Sequence, residues 1–232
     1  MFPGCVFAPM SRRVCALGIV LVGAVGPVCG DILVYETPAG SEFSGESVWA
    51  RATFTTTADQ VTIVLENLQA DQKSVGQCLS GLRFVLSTGQ SSGNLSSSSG
   101  VERTVASDGT YSDGGTVSVG WQMSVTGQEF FLTLLGTAIS PTHTILGPPN
   151  ASNVYARANN SITGGSHNPF LGESATFVLS VPGVTAESGI SSVTFCFNTS
   201  PGSEIYVPEP AALGLLSLGG ACLLLRGRRR QA

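Results

Sequence analysis

The chain has 232 residues, of which 42% are hydrophobic and only 11% are charged, with 29 glycines and 12 prolines. This sparsely charged, turn-rich composition fits one ordinary domain with terminal extensions, and it excludes coiled coils, helical repeats and multi-span channels. Residues 31–207 carry fourteen acidic and five basic side chains, a net charge of −9, which argues against nucleic-acid binding.

Residues 1–30 have the pattern of a secretory signal peptide. Arg12 and Arg13 form a basic start, Val14–Val28 is an uncharged apolar core, and small residues follow near Gly30. We therefore expect cleavage after Gly30 and expect the Sec-type export machinery as a partner.

Two alternatives remain open at this end. Cys29 is a candidate for a lipid anchor, although Pro27 and Val28 precede it where a small residue is usual. Translation starts either at Met1 or at Met10, because the segment before the basic pair is unusually long for a signal peptide.

Residues 31–202 are predicted to form one β domain. Apolar and polar residues alternate over short stretches, turn residues punctuate them, and no stretch has convincing helical periodicity. We expect an all-β fold, an antiparallel, jelly-roll-like β-sandwich. The clearest alternation sets Val48, Ala50, Ala52 and Phe54 against Trp49, Arg51, Thr53 and Thr55. Further strands are predicted at Val61–Leu65, Leu82–Leu86, Thr116–Gly120, Phe130–Leu135, Ser174–Val181 and Ile190–Phe197.

Three segments between residue 31 and the C-terminal motif are predicted to lack regular structure. Ser87–Ser99 contains seven serines and is expected to be an exposed loop. Asp108–Gly115 has the composition of a turn cluster, in which Asp108 and Asp113 are open candidates for calcium ligands. Residues 203–207 are expected to be a short linker.

Catalytic, cofactor and metal sites are not predicted. Gly89–Gly93 matches the G-x-S-x-G pattern, but the helix that a nucleophile elbow requires does not follow it. His143 and His167 lie in turn-like stretches without metal-ligand spacing. We therefore expect a protein that is not an enzyme and needs no cofactor. Paired carboxylates for glycoside hydrolysis stay open, because such pairs meet only in space.

Exposed aromatic residues are candidates for a carbohydrate platform, because aromatic rings can stack on sugar rings. The candidates are Trp49, Trp121, Tyr111 and Tyr155, of which at least one tryptophan is expected to lie in the core.

Cys78 and Cys196 are the two of six cysteines that fall inside the predicted domain. Two thiols in an oxidising compartment favour one disulfide. However, Cys196 alternates with Phe195 and Phe197 and so falls on the more polar face of its strand. The pair is a candidate disulfide, and free thiols are the alternative.

The C-terminus combines a short motif, an apolar span and a basic end. The motif is Pro208, Glu209 and Pro210; the span is Ala211–Leu225; the basic residues are Arg226, Arg228, Arg229 and Arg230. As a helix the fifteen-residue span measures about 22 Å, and flanking arginines can snorkel to reach the edges of a hydrocarbon layer of about 30 Å. Basic residues stay cytoplasmic, so both ends are predicted inside and the acidic body outside.

In this order, these features resemble the PEP-CTERM sorting signal of bacterial surface proteins, over about Val207–Ala232. The resemblance implies an exosortase as a partner, a membrane-embedded cysteine protease that recognises and cleaves near the motif, in an exopolysaccharide context. The prolines keep the motif extended and accessible. The last predicted strands, before Gly202, also resemble those that precede many such tails. A plain membrane anchor without processing is the alternative.

We therefore expect an exported bacterial surface or extracellular-matrix protein, membrane-anchored until its tail is processed. Its ectodomain is expected to be structural or adhesive, with extracellular polysaccharide as a candidate partner. The alternative is a secreted carbohydrate-binding or carbohydrate-active module with the same sorting tail.

Overall fold

The computed structural model describes residues 32–136 and 141–208. The regular elements in these ranges are mostly strands, with one turn of α-helix, α1 (Asn160–Thr163), and a 3-10 helix at Val75–Gln77. The prediction of an all-β fold is confirmed. The strands are β1 (Ile32–Glu36), β2 (Glu42–Phe43), β3 (Glu46–Ser47), β4 (Ala50–Thr57), β5 (Gln60–Asn67), β6 (Leu79–Leu86), β7 (Asn94–Val105), β8 (Tyr111–Val117), β9 (Gln122–Thr126), β10 (Glu129–Thr133), β11 (Ile145–Leu146), β12 (Phe170–Ser180), β13 (Ile190–Phe197) and β14 (Glu204–Tyr206).

Side-chain alternation explains the long strands. In β4 every second residue from Ala50 is buried, and the residues between them are half-buried, as the sequence predicts. β5 and the second half of β12 repeat this pattern. Because successive side chains of a strand point to opposite faces, each of these strands presents one apolar and one polar face.

Twelve strands form one branched mixed sheet, and β2 and β3 form a separate hairpin. The first run of strands is β1-β4-β5-β12-β7-β8, and the second run is β9-β10-β6-β13-β14. The short strand β11 joins the two runs: Ile145 pairs with Leu79 of β6 and with Leu171 of β12. Pairing is antiparallel throughout, except that β11 and β12 run parallel.

A chain of aromatic rings runs through the main core. Ring centroids are 5.8 Å apart for Tyr35 and Phe54, 5.2 Å for Phe54 and Phe84, and 5.3 Å for Phe84 and Phe130. The Tyr35 hydroxyl also donates a hydrogen bond to the carbonyl of Ile190. The core therefore takes side chains from both runs of strands. A smaller apolar cluster forms separately around Cys78, Leu146, Tyr155 and Phe170.

The predicted serine loop is wrong in its second half. β7 begins at Asn94, and residues Ser97, Ser98 and Ser99 pair with the central strand β12. A strand needs only backbone partners for its ladder, so serines are accommodated where their side chains face outward. The predicted turn cluster is likewise shorter, because β8 already begins at Tyr111.

The predicted linker 203–207 is also wrong. Residues Glu204–Tyr206 form β14, which pairs with Thr194–Cys196 of β13. Val207 is buried, and its backbone N–H donates to the carbonyl of Val193 at 2.8 Å. The folded domain therefore extends to Val207.

The candidate disulfide between Cys78 and Cys196 is not formed. Both residues are buried as free thiols. Cys78 packs in the smaller apolar cluster, with its Sγ 3.6 Å from Gln72 Oε1. Cys196 lies elsewhere and lines a cleft together with Arg83. Burial raises the pKa of both thiols to about 12, which keeps them protonated and unreactive at neutral pH.

Candidate functional site

The outward faces of β1 and β4 carry the first candidate site. The antiparallel register places Glu36 directly opposite Arg51, and Trp49 lies two residues before Arg51 on the same side of the chain. Glu36 Oε1 accepts a hydrogen bond from Arg51 Nε at 2.7 Å, and Glu36 Oε2 accepts one from Trp49 Nε1 at 3.3 Å. One carboxylate therefore positions both an indole and a guanidinium.

Electrostatics keep this carboxylate charged. The hydrogen bond from Arg51 lowers the pKa of Glu36, and the bond from Trp49 acts in the same direction. Arg51 also approaches Glu66 on the opposite neighbouring strand, with Nη1 3.8 Å from Oε2. At neutral pH the site therefore presents an ionised acceptor beside a charged donor.

A groove of about 400 Å³ lies beside the indole, and we call it the Trp49 groove. This volume is within the usual range for small-ligand sites. Its lining residues are Glu36, Thr37, Pro38, Ala39, Gly40, Ser41, Ser47, Val48, Trp49 and Gln69. Trp49 lines this groove and is 48% exposed, so part of its surface is accessible to a ligand.

Backbone hydrogen bonds hold the groove wall in place. The N–H of Thr37 donates to the carbonyl of Ala50 at 3.0 Å, and the N–H of Val48 donates to the carbonyl of Ser41 at 2.9 Å. Gly40 has φ +77°, a left-handed conformation that suits glycine and closes the turn. The groove is therefore formed before any ligand arrives.

Trp49 is the candidate aromatic with an open ring. Trp121 and Tyr155 are buried, with 4% and 1% exposure, and Tyr111 is half-buried against Arg103. Of the predicted carbohydrate platform, the structure thus leaves one ring and not a row of rings.

A second cluster surrounds the buried side chain of Arg103. Its Nε and Nη2 donate to the two carboxylate oxygens of Asp113 at 2.6 and 2.8 Å, and its Nη1 donates to Tyr155 Oη at 3.0 Å and Glu173 Oε1 at 3.1 Å. The guanidinium also lies 4.2 Å from the centre of the Tyr111 ring. Each of the three guanidinium nitrogens makes at least one hydrogen bond, and the cluster thereby joins β7, β8 and β12.

The calcium candidates have separate partners. Asp113 is engaged by Arg103, which lowers its pKa, while Asp108 accepts hydrogen bonds from the N–H and hydroxyl of Thr110. Among residues 32–136 and 141–208, no three His, Cys, Asp or Glu side chains group as a metal site requires.

The other chemical candidates are similarly dispersed. His143 Nε2 lies 2.8 Å from Glu102 Oε1, and His167 Nδ1 lies 3.1 Å from the carbonyl of Pro141. Gly89–Gly93 is an exposed stretch that leads into strand β7, so the strand–turn–helix geometry of a nucleophile elbow is not formed there.

The sorting motif lies at the edge of the described residues. Pro208 is exposed and directly follows the buried Val207. The remaining tail residues, Glu209, Pro210, Arg226, Arg228, Arg229 and Arg230, lie outside the described residues, as do Arg12 and Arg13 of the predicted signal peptide. The predicted span 211–225 lies outside them too, and within them no helix is both long and apolar enough to cross a membrane.

Comparisons with protein-family models, with curated proteins and with solved structures returned no significant match. The candidate sites are therefore argued from this chain's own geometry. The pairing of Glu36 with Arg51 could not be read from the sequence, because the two residues are fifteen positions apart and their register depends on β1, which the alternation pattern does not reveal.

Proposed function

We propose that this chain is an exported bacterial surface or extracellular-matrix protein, sorted by an exosortase through its C-terminal signal. The proposal rests chiefly on the ordered tail: a Pro-Glu-Pro motif, a short apolar span and an arginine cluster. One feature of the fold supports the sorting proposal. The domain closes at the buried Val207, and the motif begins at the next residue, so a membrane-embedded protease can reach it without unfolding a strand.

We further propose that the domain is an antiparallel, jelly-roll-like β-sandwich, with the two runs of strands packed face to face. Phe54 of the first run contacts Phe84 of the second, with ring centroids 5.2 Å apart. Tyr35 of the first run reaches Ile190 of the second by its hydroxyl. A sandwich with a sparsely charged surface suits a structural or adhesive role in a polysaccharide matrix.

The sorting proposal is tested by the intact mass of the protein in cells with and without their exosortase. We expect a mature form that lacks Arg226–Arg230 in the wild type, and an unprocessed form in membranes of the deletion strain. Glu209→Ala should reproduce the deletion, whereas Glu187→Ala, in an exposed loop, should not. A form that retains Arg226–Arg230 in both strains contradicts the proposal and supports a plain anchor.

A second candidate function is a secreted carbohydrate-binding module that uses the same tail. The Trp49 groove favours it, because an exposed ring lies there beside a fixed carboxylate and guanidinium. Hydrolysis is less well supported: glycosidases need one protonated carboxylic acid, whereas Arg51 lowers the pKa of Glu36.

A further inference from the structure

Exposed apolar side chains concentrate on one side of the first run of strands. Five large hydrophobic residues are exposed within the described ranges, and three of them belong to β1 or to the residue preceding β4. Ile32 is 68% exposed, Val34 46% and Trp49 48%. Such concentration marks an interaction surface more often than scattered exposure does.

The register of β1 and β4 arranges these residues in a stripe. Ile32 lies opposite Thr55, Val34 opposite Thr53, and Glu36 opposite Arg51. Partners in an antiparallel pair project on the same face, so each rung combines an apolar or charged side chain with a hydroxyl or guanidinium. From Trp49 to Thr55 the stripe runs about 20 Å along β4. We call these seven residues and the Trp49 groove the β1–β4 stripe.

The chemistry of this stripe matches a sugar polymer. A pyranose ring has faces of C–H groups and a rim of hydroxyls, and the faces pack on an aromatic ring. The ionised Glu36 accepts hydrogen bonds from hydroxyls, Arg51 donates to them, and threonine hydroxyls do both. A rigid aromatic ring next to a fixed polar pair suits an extended ligand that combines apolar and polar surface along its length.

The net charge of the domain favours a neutral polysaccharide over an acidic one. Residues 31–207 carry a net charge of −9, whereas Glu36 and Arg51 of the stripe form an ion pair at 2.7 Å. The net negative charge of the domain repels an acidic polysaccharide, and the Arg51 charge is already paired with Glu36. A neutral chain meets no such cost.

We propose that the β1–β4 stripe binds a neutral polysaccharide chain, with one sugar ring stacked on Trp49 in the groove and the next rings along Thr53 and Thr55. This inference rests on the second candidate function, carbohydrate binding, and is independent of whether the tail is sorted by an exosortase. Binding without cleavage is expected, because Arg51 holds Glu36 in its charged form.

The test uses the full-length protein in mild detergent, titrated by calorimetry with cellohexaose, laminarihexaose, xylohexaose and mannohexaose, and with hexagalacturonate as the acidic probe. The stripe predicts that at least one neutral hexasaccharide binds and that hexagalacturonate does not. Trp49→Ala should weaken binding at least tenfold. Tyr206→Ala removes an aromatic residue of similar exposure on β14 and should change the affinity by less than twofold.

Three results would overturn the proposal. The first is that no neutral hexasaccharide binds with a Kd of 10 mM or below, which corresponds to about 3 kcal/mol of binding free energy. The others are equal losses of affinity in Trp49→Ala and Tyr206→Ala, or tighter binding of hexagalacturonate than of every neutral hexasaccharide. Self-association that Trp49→Ala abolishes, without sugar binding, would assign the stripe to a second copy of the chain. Tail processing of Trp49→Ala, followed in the same cells, should match the wild type, so failure of binding is distinguishable from failure of sorting.

Discussion

Arg103 and Asp113 lie on adjacent strands and are joined by two parallel hydrogen bonds of 2.6 and 2.8 Å. The Arg103 side chain is only 6% exposed, whereas Asp113 is 41% exposed. The pair thus connects a buried cation to a carboxylate at the surface. Because Arg103 also bonds Tyr155 and Glu173, it ties the long loop before α1 to the sheet.

Replacing Arg103 with Met should destabilise the domain by about 2 kcal/mol, because Tyr155 and two partly exposed carboxylates lose their shared donor. Urea unfolding followed by far-UV circular dichroism measures this loss. Arg157→Met, at an exposed position, is the matched control and should stay within about 0.5 kcal/mol of the wild type. Equal effects of the two substitutions would contradict the structural role assigned to Arg103.

The same pair predicts a dependence of stability on acid. Arg103 lowers the pKa of Asp113 in the folded state below its ordinary value of 3.8. The unfolded chain therefore takes up this proton first, so the contribution is fully present above about pH 5 and is lost as the pH falls through the folded-state pKa.

Asp113→Asn should consequently be less stable than the wild type at pH 7, and the difference should shrink as the pH is lowered from 4 to 2.5. Urea unfolding at each pH measures it. Glu187→Gln, which changes an exposed loop carboxylate, serves as the control for the general effect of removing a negative charge. A difference between Asp113→Asn and the wild type that stays constant over this range would rule out the predicted linkage.

The packing of the two runs is testable by a double-mutant cycle. Phe54→Leu and Phe84→Leu should each destabilise the domain, and their effects should deviate from additivity by about 0.5–1.5 kcal/mol, because the rings contact across the core. Phe54→Leu combined with Phe170→Leu is the control, since Phe170 belongs to the smaller cluster, and these effects should add. Additivity in both pairs would contradict a face-to-face arrangement.

Strands with a clear apolar face were predictable. β4 and β13 lie where alternation places them, because burial of every second side chain both drives the fold and marks the sequence. β7 was missed for the opposite reason. Its serines contribute little to the core, and the strand is held by backbone bonds to β12, whose partner choice depends on residues about 75 positions away.

Long-range polar pairs escaped prediction for a related reason. Arg103 and Glu173 are 70 residues apart, and nothing local to either residue identifies the other. Residue type alone makes both Trp49 and Trp121 candidates for a carbohydrate platform. Only the structure shows that Trp49 is exposed whereas Trp121 is buried. The sequence predicts a linker where β14 (Glu204–Tyr206) forms, because three residues are too few to show alternation.

An inserted topology reporter shows whether the acidic β domain lies outside the membrane while both basic ends stay inside. Alkaline phosphatase is active only after export, and the exposed turn at Gly127–Gln128 between β9 and β10 accommodates an insertion while leaving both ends intact. We expect phosphatase activity in whole cells and loss of that activity when Arg12–Gly30 is deleted. A reporter that is inactive as phosphatase but fluorescent as a cytoplasmic green fluorescent protein at the same position would contradict it.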